Sequence, residues 1–361
     1  MFSKAAAGAA IAAVGLVFPW WAAVPQVAAS ASVVPKCTVT LPSGSTIKAP
    51  MQLGNGEVLC ASGTFTNEST ITVASGGSAA IEASHFVNHG SVQVADGRTL
   101  ALTDAPANLR GTKLTGGAWT VAGTLYLPGK ITTLAASVTL SGSGEIENTT
   151  DGSNAMDSLS TIKAAATFSL KKSAYLGTGS VTSAGTVVLG TAGDSSDSVN
   201  WQDSGTFNET GGSFTFLDPN ACINAGSRAF MITGGTMSGF GMLTGAVTVS
   251  GKARFEPTLH GAPADFWLSG SYAQTGGTFE DVVSNPSGTP SAGSLWVSGS
   301  VTLGGALKVR SNGSRPNAGA SFHIIDGASV SGSFASVQNV GVARFSQSIV
   351  SPSASIVTLA H

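Results

Sequence analysis

The chain has 361 residues and only 10% are charged, 17 Lys and Arg against 19 Asp and Glu, where an ordinary soluble domain carries about 25%. A net charge of −2 with so few basic residues excludes a phosphate-reading surface, so no nucleic-acid partner is expected, and it leaves too little Glu and Lys for a heptad coiled coil. The 42% of hydrophobic residues excludes a disordered chain lacking core material, and 47 glycines without a strict three-residue period exclude collagen.

Residues 1–4 carry a positive charge at Lys4, and residues 5–24 are apolar and uncharged. Small residues follow at Ala29, Ser30 and Ala31. This three-part order reads as a secretory signal over residues 1–31. The apolar stretch is about long enough to span a bilayer, but Pro19 and Pro25 interrupt it and the small-residue exit favours cleavage. A mature chain that is secreted or held at the cell surface, with no transmembrane segment, is expected.

Residues 32–62 read as an N-terminal cap segment. Cys37 and Cys60 lie close together in it, and an oxidising destination makes them a disulfide pair. Cys222 is left over and reads as a small buried hydrophobe rather than a nucleophile. No Cys-x-x-Cys spacing occurs, and His85, His89, His260, His323 and His361 form no ligand set. No metal and no cofactor are expected.

From residue 63 the chain repeats. Phe65-Thr-Asn-Glu-Ser-Thr-Ile71-Thr-Val73 is answered by Phe86-Val-Asn-His-Gly-Ser-Val92-Gln-Val94, an offset of about 21 residues. Asn67 and Asn88 coincide, which places them at equivalent corners where their amides can form a ladder. A second theme is a glycine pair, a small residue and then alternating apolar positions. It appears at Gly116-Gly117-Ala-Trp119-Thr-Val121, Gly211-Gly212-Ser-Phe214-Thr-Phe216 and Gly304-Gly305-Ala-Leu307-Lys-Val309, with shorter versions at Gly234 and Gly276. These are short period-2 strands between Gly, Ser and Asn turns. Residues 157–172 tolerate a helix best, yet Thr161-Ile-Lys-Ala and Phe168-Ser-Leu170 still read as strands. Propeller blades need about 40 residues each and sandwiches about 100 per domain. The predicted fold is therefore all-β: a single-stranded, right-handed parallel β-helix, pectin-lyase-like, of roughly 15 rungs. Residues 63–265 supply the repeats, and residues 266–361 the C-terminal rungs and cap.

Leu268-Ser-Gly-Ser-Tyr272-Ala-Gln274-Thr-Gly-Gly-Thr-Phe279 leads to Leu295-Trp-Val297-Ser-Gly-Ser-Val301-Thr-Leu303 and to Gly319-Ala-Ser-Phe322-His-Ile-Ile325. This serial order resembles the right-handed β-helix passenger domains of bacterial autotransporter adhesins and related secreted bacterial β-strand-repeat proteins. The likeness runs over about residues 63–359. It implies a bacterial source and a surface or adhesion role. Autotransporters also carry a membrane barrel after the passenger; no strands of about 9–11 residues remain here to build one, so self-export is not expected. Asn-x-Ser/Thr sites at Asn67, Asn148, Asn208 and Asn312 matter only in a glycosylating host.

Parallel β-helices often host polysaccharide-cleaving enzymes, which need paired carboxylates. The densest acidic segment holds Asp194, Asp197 and Asp203 beside Trp201. These three are the catalytic candidates, with Trp201 as a sugar-stacking platform; the bland alternative is a solvated loop with Trp201 covering the core. The spacing does not follow a calcium loop. Tyr126, Trp267 and Trp296 stand opposite in parity to aliphatic neighbours, so they point outward, where rings can stack on a sugar or bind a partner. With no concentrated acid–base constellation, the expected function is a non-catalytic extracellular scaffold or adhesin binding a glycan or another cell-surface component. The alternative is a secreted polysaccharide lyase or hydrolase.

Overall fold

A computed structural model describes residues 36–361 except 75–76, 195–198, 286–290, 314–319, 342–344, 351–355 and 361. The signal reading for residues 1–31 lies outside the described residues. Cys37–His361 is one compact unit. Among the described residues there is no helix, so none is long and apolar enough to cross a membrane. The stretch most tolerant of a helix forms the strands Thr161–Ile162 and Thr167–Lys171.

The strands are short, and almost every pairing is parallel to a strand one pass further along the chain. One column shows the plan. Following Cα partners from strand to strand, Met51 leads through Ile71, Val92, Trp119, Val138, Phe168, Val187, Phe214, Met237, Phe255, Phe279 and Leu307 to Val337. From Ile71 to Leu307 every member is at most 1% exposed. Among the described residues, thirteen positions on thirteen strands thus stack in one parallel register, which is the pairing a parallel β-helix requires. The spacing between partners in this column is irregular, from 30 residues between Val138 and Phe168 to 18 between Met237 and Phe255. Asn67 and Asn88 are 21 residues apart, whereas Thr302 and its neighbour Ser331 are 29 apart.

Alternation does the rest. In Asp265–Ser269, Phe266 and Leu268 are buried while Asp265, Trp267 and Ser269 are exposed. Inward aromatics form a nearly continuous file, from stacked Phe65 and Phe86, 4.8 Å between centroids, to the edge-on pair Phe255 and Phe266 at 5.3 Å. Trp119 belongs to this file, as its parity with Phe214 and Leu307 predicts.

The glycine pairs are corners. In these five pairs the second glycine has positive φ: 67° at Gly117, 73° at Gly212, 71° at Gly235, 65° at Gly277 and 60° at Gly305. A corner here must turn in the left-handed region, which side chains disfavour. The corners also stack. A Cβ on Gly212 would strike the carbonyl of Gly185 and lie 2.6 Å from that of Ala184.

Near the N-terminal end, Cys37 and Cys60 form a disulfide with Cα atoms 5.6 Å apart. The asparagine ladder is present and longer than the two-residue motif suggests. Asn67 Nδ2 donates to Asn88 Oδ1 at 2.9 Å, and Asn88 N donates to Asn108 Oδ1 at 2.6 Å. Asn67 and Asn148 are buried, so two of the four glycosylation motifs are closed in the folded chain. At the other end, Ser321–Gly332 and Ser346–Val350 both pair antiparallel with Ile356–Ala360, which terminates the parallel ladder.

Candidate binding face

Outward positions stack in columns just as inward ones do. One such column starts at Ala174 and runs through Asn200, Cys222, Met242, Trp267 and Trp296 to Asp326. Met242 is 42% exposed, Trp267 44% and Trp296 40%. Three large apolar side chains therefore lie in register on three successive strands, Gly241–Val249, Asp265–Ser269 and Ser294–Leu303. Trp267 and Trp296 sit where sequence parity put them. Met242 went unnoticed because Leu243 beside it hides the alternation.

The ladder is narrow. The adjoining outward column is Leu176, Gln202, Asn224, Thr244 and Ser269, so hydroxyls flank Met242 and Trp267 and the amides of Gln202 and Asn224 continue the column on the two preceding strands. On the other side a hairpin, Thr258–Leu259 paired with Ala262–Pro263, leaves the regular winding. A groove of about 420 Å³ opens there, lined by Pro219, Phe240, Leu259, Ala262, Pro263, Ala264, Asp265 and Trp267. The site thus combines exposed rings, an apolar groove and one exposed carboxylate.

The other candidates fall elsewhere. Trp201 is 1% exposed and packs edge-on against Phe168, Tyr175 and Phe207, with centroids 5.4, 4.9 and 5.6 Å away. Its register with Tyr175 and Ile223 turns it inward, so no sugar can stack on it. Asp194 is held by Lys172 at 2.7 Å. Asp203 is placed only by its backbone, opposite Gly177, and Asp197 lies outside the described residues. Tyr126 is half-buried in a separate sheet, between Ala101 and Glu147 in register. Burial raises its hydroxyl pKa, and the neighbouring Glu147 adds to the shift. Cys222 is free, half-buried, and raised by burial.

Two ionisable clusters were invisible in the sequence. Glu280, 1% exposed, accepts from Arg254 Nη1 at 3.3 Å and Lys308 Nζ at 3.1 Å and also pairs with Arg310. Arg254 further pairs with Glu256 at 2.9 Å. Three cations are thereby committed to two carboxylates. The second cluster borders a cleft of about 480 Å³, lined among others by Glu145, Asp157, Ser173 and Leu176. Burial first, then hydrogen bonding and repulsion from Glu147, pushes Glu145 up to about 7. Lys130 reaches Asp157 at 3.6 Å across the same region. The ligand-spaced group Cys37, Cys60 and Glu82 is taken up by the disulfide.

No protein-family model matches the chain, and no curated protein matches it.

Proposed function

We propose that this is a secreted or surface-displayed, non-catalytic protein with a right-handed, pectin-lyase-like β-helix related in plan to autotransporter passenger domains. Its role is to bind an extracellular glycan. The handedness follows the strong right-handed preference of parallel crossovers. At about 4.8 Å per pass, thirteen passes make a rod about 60 Å long.

The observation that carries the reading is the shared outward register of Met242, Trp267 and Trp296. An aromatic face offers a flat apolar platform to the C–H face of a pyranose, and the adjoining hydroxyls of Thr244 and Ser269 offer partners for its hydroxyls. The apolar strip is one side chain wide, narrower than the broad faces typical of protein interfaces. A narrow, chain-like ligand fits it better.

The test is retention of the mature chain on insoluble and arrayed glycans. Trp267→Ala with Trp296→Ala should weaken binding by about a hundredfold or more, while circular dichroism stays that of a folded all-β chain. Undiminished binding by that variant would remove the ladder from the account.

The alternative of a polysaccharide-cleaving enzyme has one observation in its favour. The cleft beside Glu145 and Asp157 holds a carboxyl group poised near neutral pH, as a general acid requires. Depolymerisation by the wild-type chain that Glu145→Gln abolishes would install that reading instead.

A further inference from the structure

Resting on the ladder as a glycan-binding strip, we propose that it selects a neutral, unbranched polysaccharide and that Asp265 is the specificity residue that turns polyanionic chains away. The ladder crosses the strands, so a bound chain runs along the stacking direction. Its three apolar positions span about 10 Å at the strand spacing, enough for a short run of sugars.

Charge decides the class of sugar. Gly241–Val249, Asp265–Ser269 and Ser294–Leu303, which carry the ladder, contain neither Lys nor Arg. The nearby cationic cluster Arg254, Lys308 and Arg310 is committed to Glu280 and Glu256. A uronate, sulfate or phosphate polymer laid on the rings would find no counter-charge among the described residues of these strands. It would instead meet Asp265, which shares the groove wall with Trp267, and Asp326, the register partner of Trp296. Like charges brought together at a recognition surface are a standard means of rejecting wrong partners. A neutral sugar turns the same carboxylate to advantage, because an ionised carboxylate is a strong acceptor for hydroxyl donors.

Shape decides the branching. The apolar strip is one residue wide. The hairpin Thr258–Leu259 and Ala262–Pro263 stands along the groove at Trp267, where a branch on the bound chain would collide with it.

The experiment is calorimetric titration of the mature chain at low ionic strength with six-residue oligomers. The neutral probes are β-1,4-glucan, chitin and mannan oligomers; the anionic probes are oligogalacturonate and oligoalginate. At least one neutral oligomer should bind more than about tenfold tighter than both anionic ones. Asp265→Asn, at an exposed position, should strengthen binding of the anionic oligomers by about threefold or more, and added salt should narrow the wild-type gap. Anionic binding equal to or tighter than neutral, or anionic affinity unmoved by Asp265→Asn, overturns the proposal. If that anionic binding is lost in Trp267→Ala with Trp296→Ala, the ladder stands and only its selectivity is wrong. If no oligomer binds, or the double variant binds as well as wild type, both fall.

Discussion

Replacing Glu209 with Gln should make the protein more stable by about 3–5 kcal/mol at pH 9 while leaving it almost unchanged at pH 4. Glu209 points inward, opposite Ser183 on one side and Ile232 on the other, and its side chain is fully buried. Burial pushes its carboxyl from 4.5 up to about 8; the Ser183 hydroxyl and the Gly211 amide only partly offset this. The folded state therefore holds a proton that the unfolded state releases between those two values. Stability is fully present below about 4.5 and is lost as pH rises through about 8. Gln is neutral throughout and removes that contribution. Glu145, Glu256 and Asp281 are also raised by burial, so the variant keeps a shallower slope of the same sign. Denaturant unfolding from pH 4 to 9 measures both curves. Parallel curves for the two proteins would show that Glu209 ionises freely in the fold.

Gly212→Ala should cost about 2–4 kcal/mol, through two separable effects. A side chain at a φ of 73° costs roughly 1–2 kcal/mol for any L-residue. The remainder comes from driving a methyl group into the backbone of the preceding corner, where the carbonyls of Ala184 and Gly185 lie. Gly56 provides the control. Its φ is also 73°, but nothing lies within 4 Å of an added Cβ. Gly56→Ala should therefore show the conformational cost alone. Equal losses at the two positions would mean that the stacked corners yield, and that contact between successive passes does not fix the turn.

Period and parity carried most of the fold in the sequence. The Phe65 and Phe86 repeats really are adjacent, with the residues around them in register, because an inward column tolerates only apolar side chains and so leaves a visible rhythm. The same logic placed Trp119 inside and Trp296 outside. It would also have placed Trp201, since Val199 two residues earlier is buried and alternate residues share a face. The acidic residues Asp194, Asp197 and Asp203 around it pointed instead to a surface loop. Met242 escaped for the opposite reason: Phe240, Met242 and Leu243 make an almost unbroken apolar run, and only Thr244 marks the outward side.

The ionic site around Glu280 was out of reach for a different reason. Arg254 lies 26 residues before it and Lys308 lies 28 after it, and this spacing is not constant along the chain. Where register partners lie anywhere from 18 residues apart, as Met237 and Phe255 do, to 30, as Val138 and Phe168 do, sequence offset no longer tells which side chains become neighbours. The groove at Trp267 is likewise made by an excursion, the hairpin at Ala262–Pro263, and excursions leave no periodic signal. The repeats therefore specify the stacked sheets, while the departures from them shape the candidate binding face.

Oxidative footprinting read residue by residue tests most directly whether Met242, Trp267 and Trp296 form one binding strip. All three oxidise readily when exposed, whereas Trp119 and Trp201, each 1% exposed, serve as buried references. In the free protein the three should be modified and the two references spared. On saturation with a neutral glycan retained by the wild-type chain, Met242, Trp267 and Trp296 should become protected together. Bound glycan that leaves all three as reactive as before would contradict the account.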